Sequence, residues 1–258
     1  MPTSVSIDEH LAGLETAGHR LIELSLAAGL QARVPTCPAW TVDALVAHQA
    51  MVHRWATAHV RGDDPEAVPN QTEVRDTVTD LPAYYRDGLR GLLEALREAP
   101  EDLEAMTFLK DAPSPRRFWA RRQCHETTIH MVDALAAAEA RLPTTGEAAV
   151  DAALAVDGID EILRGFYTRG KSKLYDGEAF TMAVVPTDAD RRWILHVAER
   201  LTVEPGDPPL TADGAAATIS GSAPALYLAL WNRGDEVEVT GRPELLEHWR
   251  ATQRVTWS

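Results

Sequence analysis

The stretch RRQCHETTIHMVDA, residues 121–134, indicates both the fold and the chemistry of this chain. We predict that it forms an amphipathic helix, in which side chains four residues apart lie on one face, one turn from each other. Glu126 and His130 have this spacing, so a carboxylate and an imidazole point the same way. Such a pair can bind one divalent metal ion inside a helical protein.

A third ligand is predicted from the stretch CPAWTVDALVAHQAMVHRW, residues 37–55, which also has helical spacing. His48 lies in an apolar run, whereas His53 is followed by Arg54, so we predict His48 as the ligand. The two histidines are five residues apart, about 140° around a helix, and cannot easily share one ion. Three protein ligands leave a coordination position open, which is typical of reactive rather than structural metal sites.

The string HETTIH, residues 125–130, differs from the HExxH pattern of zinc metalloproteases. In HExxH the histidines are four residues apart, and the glutamate between them acts as a base. His125 and His130 are five residues apart and point about 140° away from each other. We therefore do not predict a metalloprotease, and we expect His125 to contact its neighbours rather than the metal.

The composition is that of a globular protein and argues against several partners. The chain has 258 residues, enough for one large domain or two smaller ones, and 45% of them are hydrophobic. The formal net charge of −14 argues against nucleic acid and against an anionic membrane surface. We predict a cytoplasmic protein, because the sequence has only two cysteines and no CxxC motif. It also shows no membrane-spanning apolar run and no signal-peptide pattern.

Helical periodicity continues through residues 1–142, which we predict to form a four-helix bundle. Apolar residues recur at helical spacing, and proline-bearing segments separate the runs. The predicted helices cover residues 5–30, 41–61, 80–98 and 116–141, and Thr41 is the expected N-cap of the second. Bundles commonly hold metal ions between facing helices.

The sequence pattern changes after residue 142. A fifth helix is predicted over residues 146–166, within a connection of residues 143–170. Residues 171–258 then mix short β-rich runs with helices: the predicted strands cover 179–186, 191–198, 200–205, 216–221 and 236–241, and the predicted helices 222–233 and 243–252. The expected fold class is therefore α+β multidomain, with a small C-terminal α+β domain.

Three strings together resemble the mycothiol-dependent maleylpyruvate isomerase family, part of the DinB-like helical-bundle superfamily. They are CPAWTVDALVAH…HRWA, RRQCHETTIHMVDA and SGSAPALYLALWNRGD…VEVTGRPELLEHW. The strings occur in the family's order and span nearly the whole chain. The resemblance implies a DinB-like metal-binding bundle over residues 1–142 and the family's α+β domain over residues 171–258.

The resemblance also implies a chemistry. Family members bind zinc through a histidine of the second helix and a Glu-x3-His pair of the last bundle helix, which correspond here to His48, Glu126 and His130. Zinc binds the sulfur of mycothiol, and coordination deprotonates a thiol. The family's isomerase adds this thiol to a cis double bond, allows rotation and expels it, whereas relatives transfer the thiol. The expected partners are mycothiol and a small electrophilic substrate.

Four further residues are candidates for roles at or near this site. Arg233, in the string LWNRGD, lies in the family's C-terminal motif and either binds a substrate carboxylate as a catalytic residue or stabilises a helix end. Trp119, two turns before the glutamate of the pair, is predicted to line the mycothiol cavity. Asp133 either orients His130 or forms a surface salt bridge. Cys37 is expected to pack at the helix entry rather than to act as a nucleophile.

Two other functions are compatible with the same residues. One is a metal-dependent hydrolase with zinc-bound water as nucleophile, and the other is a non-catalytic metal- or thiol-binding stress protein. The resemblance favours zinc, but two imidazoles and a carboxylate also suit nickel, iron or manganese. Isomerase and transferase, and monomer and homodimer, are equally compatible with the sequence.

Overall fold

The computed structural model describes residues 5–206 and 214–254, which form two compact units. The first, here called the helical unit, contains Val5–Thr107 and Pro113–Pro143. The second, the sheet unit, contains residues 108–112 and the described residues from 144 onward. The helical unit ends at Pro143, and the boundary at residue 142 stays a prediction.

Five α-helices form the described part of the helical unit. They are α1 (Ile7–Ala28), α2 (Val42–Arg61), α3 (Gln71–Thr77), α4 (Leu81–Glu98) and α5 (Pro115–Glu139), and a 3₁₀ turn covers Pro65–Ala67. The four long helices α1, α2, α4 and α5 pack against one another, with Leu14, Leu45 and Leu92 fully buried. The predicted four-helix bundle is therefore confirmed. None of the helices within the described residues has the length and apolar character needed to cross a membrane.

Local side-chain chemistry explains where the helices begin. Ser6 caps α1 in a capping box, in which the Ser6 and Glu9 side chains each bond to the other residue's backbone N–H. Thr41 occupies the N-cap position of α2 as predicted, but its hydroxyl donates to the carboxylate of Asp43 and caps no backbone amide. The position of the cap was therefore predictable from the sequence, whereas its hydrogen bond was not.

The short helix α3 is not among the predicted helices. Asn70 accepts hydrogen bonds from the amides of Thr72 and Glu73, and the Glu73 carboxylate accepts one from the amide of Asn70. This Asn-x-x-Glu spacing is a readable signal for a helix start. Hydrophobic periodicity misses the helix because only one of its residues, Val74, is buried.

Helix α5 has no solvated face. Every residue from 118 to 137 is buried, so the predicted amphipathic pattern is wrong for this helix. The buried residues include the charged side chains of Arg121, Arg122, Glu126 and Asp133. Buried charges are costly unless they are paired and hydrogen-bonded, so the polar residues of α5 need partners inside the protein.

The sheet unit combines a mixed sheet with helices. Its described elements are α6 (Thr145–Ala148), α7 (Ala152–Asp160), a π-helical turn (Glu161–Phe166), β1 (Phe180–Pro186), β2 (Arg192–Val197), β3 (Thr202–Gly206), β4 (Ala217–Gly221), α8 (Ala223–Leu230), β5 (Glu238–Gly241) and α9 (Glu244–Thr252). The strand order is β3-β2-β1-β4-β5; β1 and β4 are parallel, and the other pairs are antiparallel. Helix α8 packs on β1 and β4. The predicted α+β character of this region is confirmed.

The predicted fifth helix over residues 146–166 is not continuous. Ala149 lies in the left-handed region, with φ of 52°, and ends α6. The Asp151 carboxylate then accepts hydrogen bonds from the first amides of α7 and starts a new helix. These elements group with the sheet unit, so residues 143–170 do not form one connecting helix.

Candidate metal centre

The three predicted ligands meet where α2 packs on α5. Nε2 of His48 lies 3.5 Å from Oε1 of Glu126, and Nε2 of His130 lies 3.2 Å from the same oxygen. The ligand atoms all lie within 4.8 Å of one another, and the three side chains are buried. Helical spacing brings Glu126 and His130 together, whereas tertiary packing adds His48. Their role as metal ligands stays a prediction.

Two atoms of this cluster have no hydrogen-bond partner among the described residues: Nε2 of His48 and Oε1 of Glu126. A buried polar atom left without a partner typically costs about 1–3 kcal/mol. Because these atoms and Nε2 of His130 converge, one cation would satisfy all of them. Imidazole nitrogens and carboxylate oxygens are common zinc donors, so the residues present fit the metal that the family resemblance implies.

Asp133 determines the orientation of His130. Its Oδ2 atom lies 2.9 Å from Nδ1 of His130, and its Oδ1 atom accepts a hydrogen bond of 2.6 Å from the hydroxyl of Thr36. The thiol of Cys37 also donates to Oδ2, over 3.6 Å. A carboxylate bonded to one imidazole nitrogen leaves the other nitrogen free to ligate a metal. Asp133 is fully buried, so the alternative of a surface salt bridge is wrong.

Arg122 binds the second carboxylate oxygen of Glu126. Its Nη2 atom donates to Oε2 over 3.1 Å, one helical turn before the glutamate. Both side chains are almost completely buried. The four-residue spacing is visible in the sequence, but most pairs with this spacing lie on helix surfaces. Sequence reasoning therefore does not assign Arg122 to the site, although its position was a usable signal.

The contacts explain the charges at the site. Burial by itself raises the pKa of Glu126, but the two imidazoles and Arg122 outweigh it and hold this pKa well below its usual range. Burial by itself lowers the pKa of His130, yet Asp133 and Glu126 raise it to about 9. Burial lowers the pKa of His48. Glu126 is therefore an anion at neutral pH, and a metal ion competes with a proton for His130.

Trp40 lies against both imidazoles of the cluster. Its ring centroid is 4.9 Å from that of His48 and 5.8 Å from that of His130, and it stacks on the latter. Trp40 is half-buried, whereas both histidines are buried. It lies in the loop before α2, and no spacing rule places a loop residue over a helix. Its place at the site is therefore apparent only in the structure.

His53 lies in a separate polar network. Its Nε2 atom is 3.0 Å from the amide nitrogen of Gln49 and 3.0 Å from the hydroxyl oxygen of Thr127. Burial lowers the pKa of His53 to about 3. The structure thus places His48, and not His53, beside Glu126 and His130.

Replacing His53 with glutamine should make the fold less sensitive to acid. Between the ordinary pKa of 6.5 and about 3, the unfolded chain binds a proton that the folded protein excludes, so stability falls as the pH falls. This loss is about 2 kcal/mol near pH 5. The free energy of unfolding in urea should therefore fall by about 2 kcal/mol less in His53→Gln between neutral pH and pH near 5. The control is His19→Gln, which replaces an exposed histidine. If the free energy of unfolding of His19→Gln fell with pH by as little as that of His53→Gln, the acid sensitivity could not be assigned to His53.

Trp119 and Arg233, the two other predicted site residues, have the following contacts. Trp119 is fully buried, its ring stacks on His59 with centroids 5.0 Å apart, and its indole N–H donates to the carbonyl of Met106. These contacts are those of a packed aromatic residue of the helical unit. Arg233, in the sheet unit, donates to the carbonyl of Trp231 just after α8, a contact that fits an arginine at a helix end. The cofactor-binding role of Trp119 and the catalytic role of Arg233 stay predictions.

Comparisons with known proteins agree with this architecture. The profile of the mycothiol maleylpyruvate isomerase N-terminal domain matches residues 11–135, and that of the MDMPI C-terminal domain matches residues 153–248. The crystal structure of the mycothiol-dependent maleylpyruvate isomerase superposes with a TM-score of 0.63 at 17% identity, over 93% of this chain and 96% of that chain. A single-histidine mutant of that enzyme gives a TM-score of 0.63 at 16% identity and the same coverage. No curated protein sequence matches the chain.

Proposed function

The chain belongs to the mycothiol maleylpyruvate isomerase family, and on this premise we propose that it is a mycothiol-using enzyme with zinc at His48, Glu126 and His130. Its proposed reaction is the cis–trans isomerisation of a small unsaturated dioate similar to maleylpyruvate. Transfer of the thiol to another small electrophile is the second form of the same chemistry. The proposed partners are the thiol and this substrate, in a cytoplasmic setting.

The observation that best supports the proposal is the pair of partnerless buried atoms, Nε2 of His48 and Oε1 of Glu126, identified among the described residues. They converge with Nε2 of His130 on a point that a cation would stabilise. Three donor atoms are fewer than the four that close a structural zinc site. Zinc held there would act as a Lewis acid that binds the thiol sulfur and stabilises its thiolate form.

The protein's own residues prepare the site for this role. Asp133 holds the Nδ1 side of His130, so that Nε2 faces Glu126. Trp40 lies against both imidazoles, and the three candidate ligands are themselves buried. Electrostatic interactions are stronger where water is excluded. We keep Arg233 as the proposed contact of a substrate carboxylate, because a guanidinium can bind a carboxylate through two hydrogen bonds.

The experiment that tests this proposal is turnover of maleylpyruvate by zinc-loaded and metal-free protein, each with and without mycothiol. An isomerase should need both zinc and thiol and should not consume the thiol. A transferase should leave maleylpyruvate unchanged but consume mycothiol when a small electrophile is supplied. Full activity without metal would overturn the proposal. Turnover without thiol would also overturn it and would favour a hydrolase. Tight zinc binding with no turnover would overturn it and would favour a non-catalytic binding protein.

A further inference from the structure

We infer that Arg122 is a positioning residue that restricts Glu126 to one ligating oxygen and adjusts the charge of the site so that its open position takes a single thiolate. This inference rests on the proposed function, because it concerns the metal proposed at Glu126, His48 and His130. It adds a residue that neither the ligand pattern nor the family resemblance assigns.

The first observation is that the two oxygens of Glu126 face different partners. Oε2 accepts the hydrogen bond from Arg122, whereas Oε1 lies 3.2 Å from Nε2 of His130 and 3.5 Å from Nε2 of His48. Carboxylates bind metal ions through one oxygen or through both. With Oε2 engaged by Arg122, only Oε1 faces the imidazoles. The protein therefore offers three donor atoms and leaves one position of a tetrahedral set open.

The second observation is that this ion pair is enclosed. Arg122 is 1% exposed and Glu126 is 4% exposed, so water does not compete for the pair as it does on a helix surface. A surface pair at this spacing is easily broken, whereas loss of one partner of a buried pair leaves an uncompensated charge. The enclosed arginine therefore holds the carboxylate in one orientation, in the manner of an outer partner that orients a metal ligand.

The third observation is the formal charge of the cluster. The charged side chains in the contacts described above are Glu126 and Asp133, both anionic, and Arg122, which is cationic. With neutral imidazoles these groups sum to one negative charge, and a divalent cation would bring the cluster to one positive charge. A single thiolate then makes the buried site neutral. Without Arg122 the same thiolate would leave a net negative charge in a low-dielectric site, which is unfavourable.

The test uses Co²⁺ in place of zinc, because its visible spectrum reports coordination number. Arg122→Met should free Oε2, raise the coordination number and weaken the intense absorption of a four-coordinate cobalt site. Titration with 2-mercaptoethanol, followed by the thiolate-to-cobalt band, should give a dissociation constant at least ~10-fold higher than in the original chain. Arg122→Lys keeps the charge and should recover most of the thiol affinity. Arg121→Met removes an equally buried arginine from the adjacent position and should leave both readouts unchanged.

If Arg122→Met had the same cobalt spectrum and the same thiol affinity as Arg121→Met, the inference would be overturned while the proposed function stayed intact. Failure of the unsubstituted protein to bind Co²⁺ or Zn²⁺ would instead overturn the proposed function. If Arg122→Met does not fold, Arg122→Gln replaces it, since glutamine keeps a hydrogen-bond donor and removes the charge. Unchanged thiol affinity in Arg122→Gln would then contradict the charge argument.

Discussion

A His130→Ala variant should lose most of its zinc affinity and all thiol-dependent turnover, while its helical content stays near that of the original chain. Structural zinc sites with four ligands contribute roughly 10–16 kcal/mol, so one ligand supplies about 3 kcal/mol. Its removal should weaken zinc binding by at least about 100-fold. Competition with a chelating dye measures the affinity, and circular dichroism monitors the fold.

The matched control for this prediction is His53→Gln. His53 is a buried histidine of α2, as His48 is, but it bonds to Gln49 and Thr127 and not to Glu126. This variant should keep its zinc affinity within a few-fold, whereas His48→Ala should lose it as His130→Ala does. Zinc binding in His130→Ala as tight as in His53→Gln would show that the cluster is a hydrogen-bonded network rather than a metal site.

Replacing Trp119 with alanine should lower the free energy of unfolding by about 4 kcal/mol, a shift of roughly a thousandfold in the folding equilibrium. The side chain is fully buried. Its ring packs against Trp55, at 5.3 Å, and His59, at 5.0 Å, and its N–H bonds to the carbonyl of Met106. Alanine would leave a cavity and a carbonyl without this donor. Urea unfolding monitored by circular dichroism measures the effect.

Trp119→Phe separates packing from a contact with the thiol cofactor. Phenylalanine keeps an aromatic ring and loses the hydrogen bond to Met106, so it should cost about 1 kcal/mol for that bond and somewhat more for the smaller ring. If Trp119 only packs in the core, the affinity of Trp119→Phe for mycothiol, measured on zinc-loaded protein well below the unfolding temperature, should equal that of the original chain, whereas a cofactor contact should weaken it. Full stability in Trp119→Ala together with weakened mycothiol binding would instead establish Trp119 as a cofactor contact.

The sequence alone predicts the long helices, the strands and the three candidate ligands. These features depend on residues close together in the chain. A period of 3.6 residues marks a helix, and a spacing of four residues places Glu126 and His130 on one face. The prediction of His48 required one further step, namely that an apolar run on a second helix faces the same core. Local rules were less reliable at helix breaks, where Ala149 interrupts the predicted fifth helix through its own backbone conformation.

Only the tertiary structure decides how the candidate site is supported. Thr36 and Asp133 are 97 positions apart in the chain, yet they share a hydrogen bond, and Trp40 reaches the imidazoles from a loop. The spacing of Arg122 to Glu126 is local, but its burial results from packing around every side of α5. Sequence patterns describe which residues share a face of one element. The partners of a buried charge depend on which elements pack together, and that is a property of the whole fold.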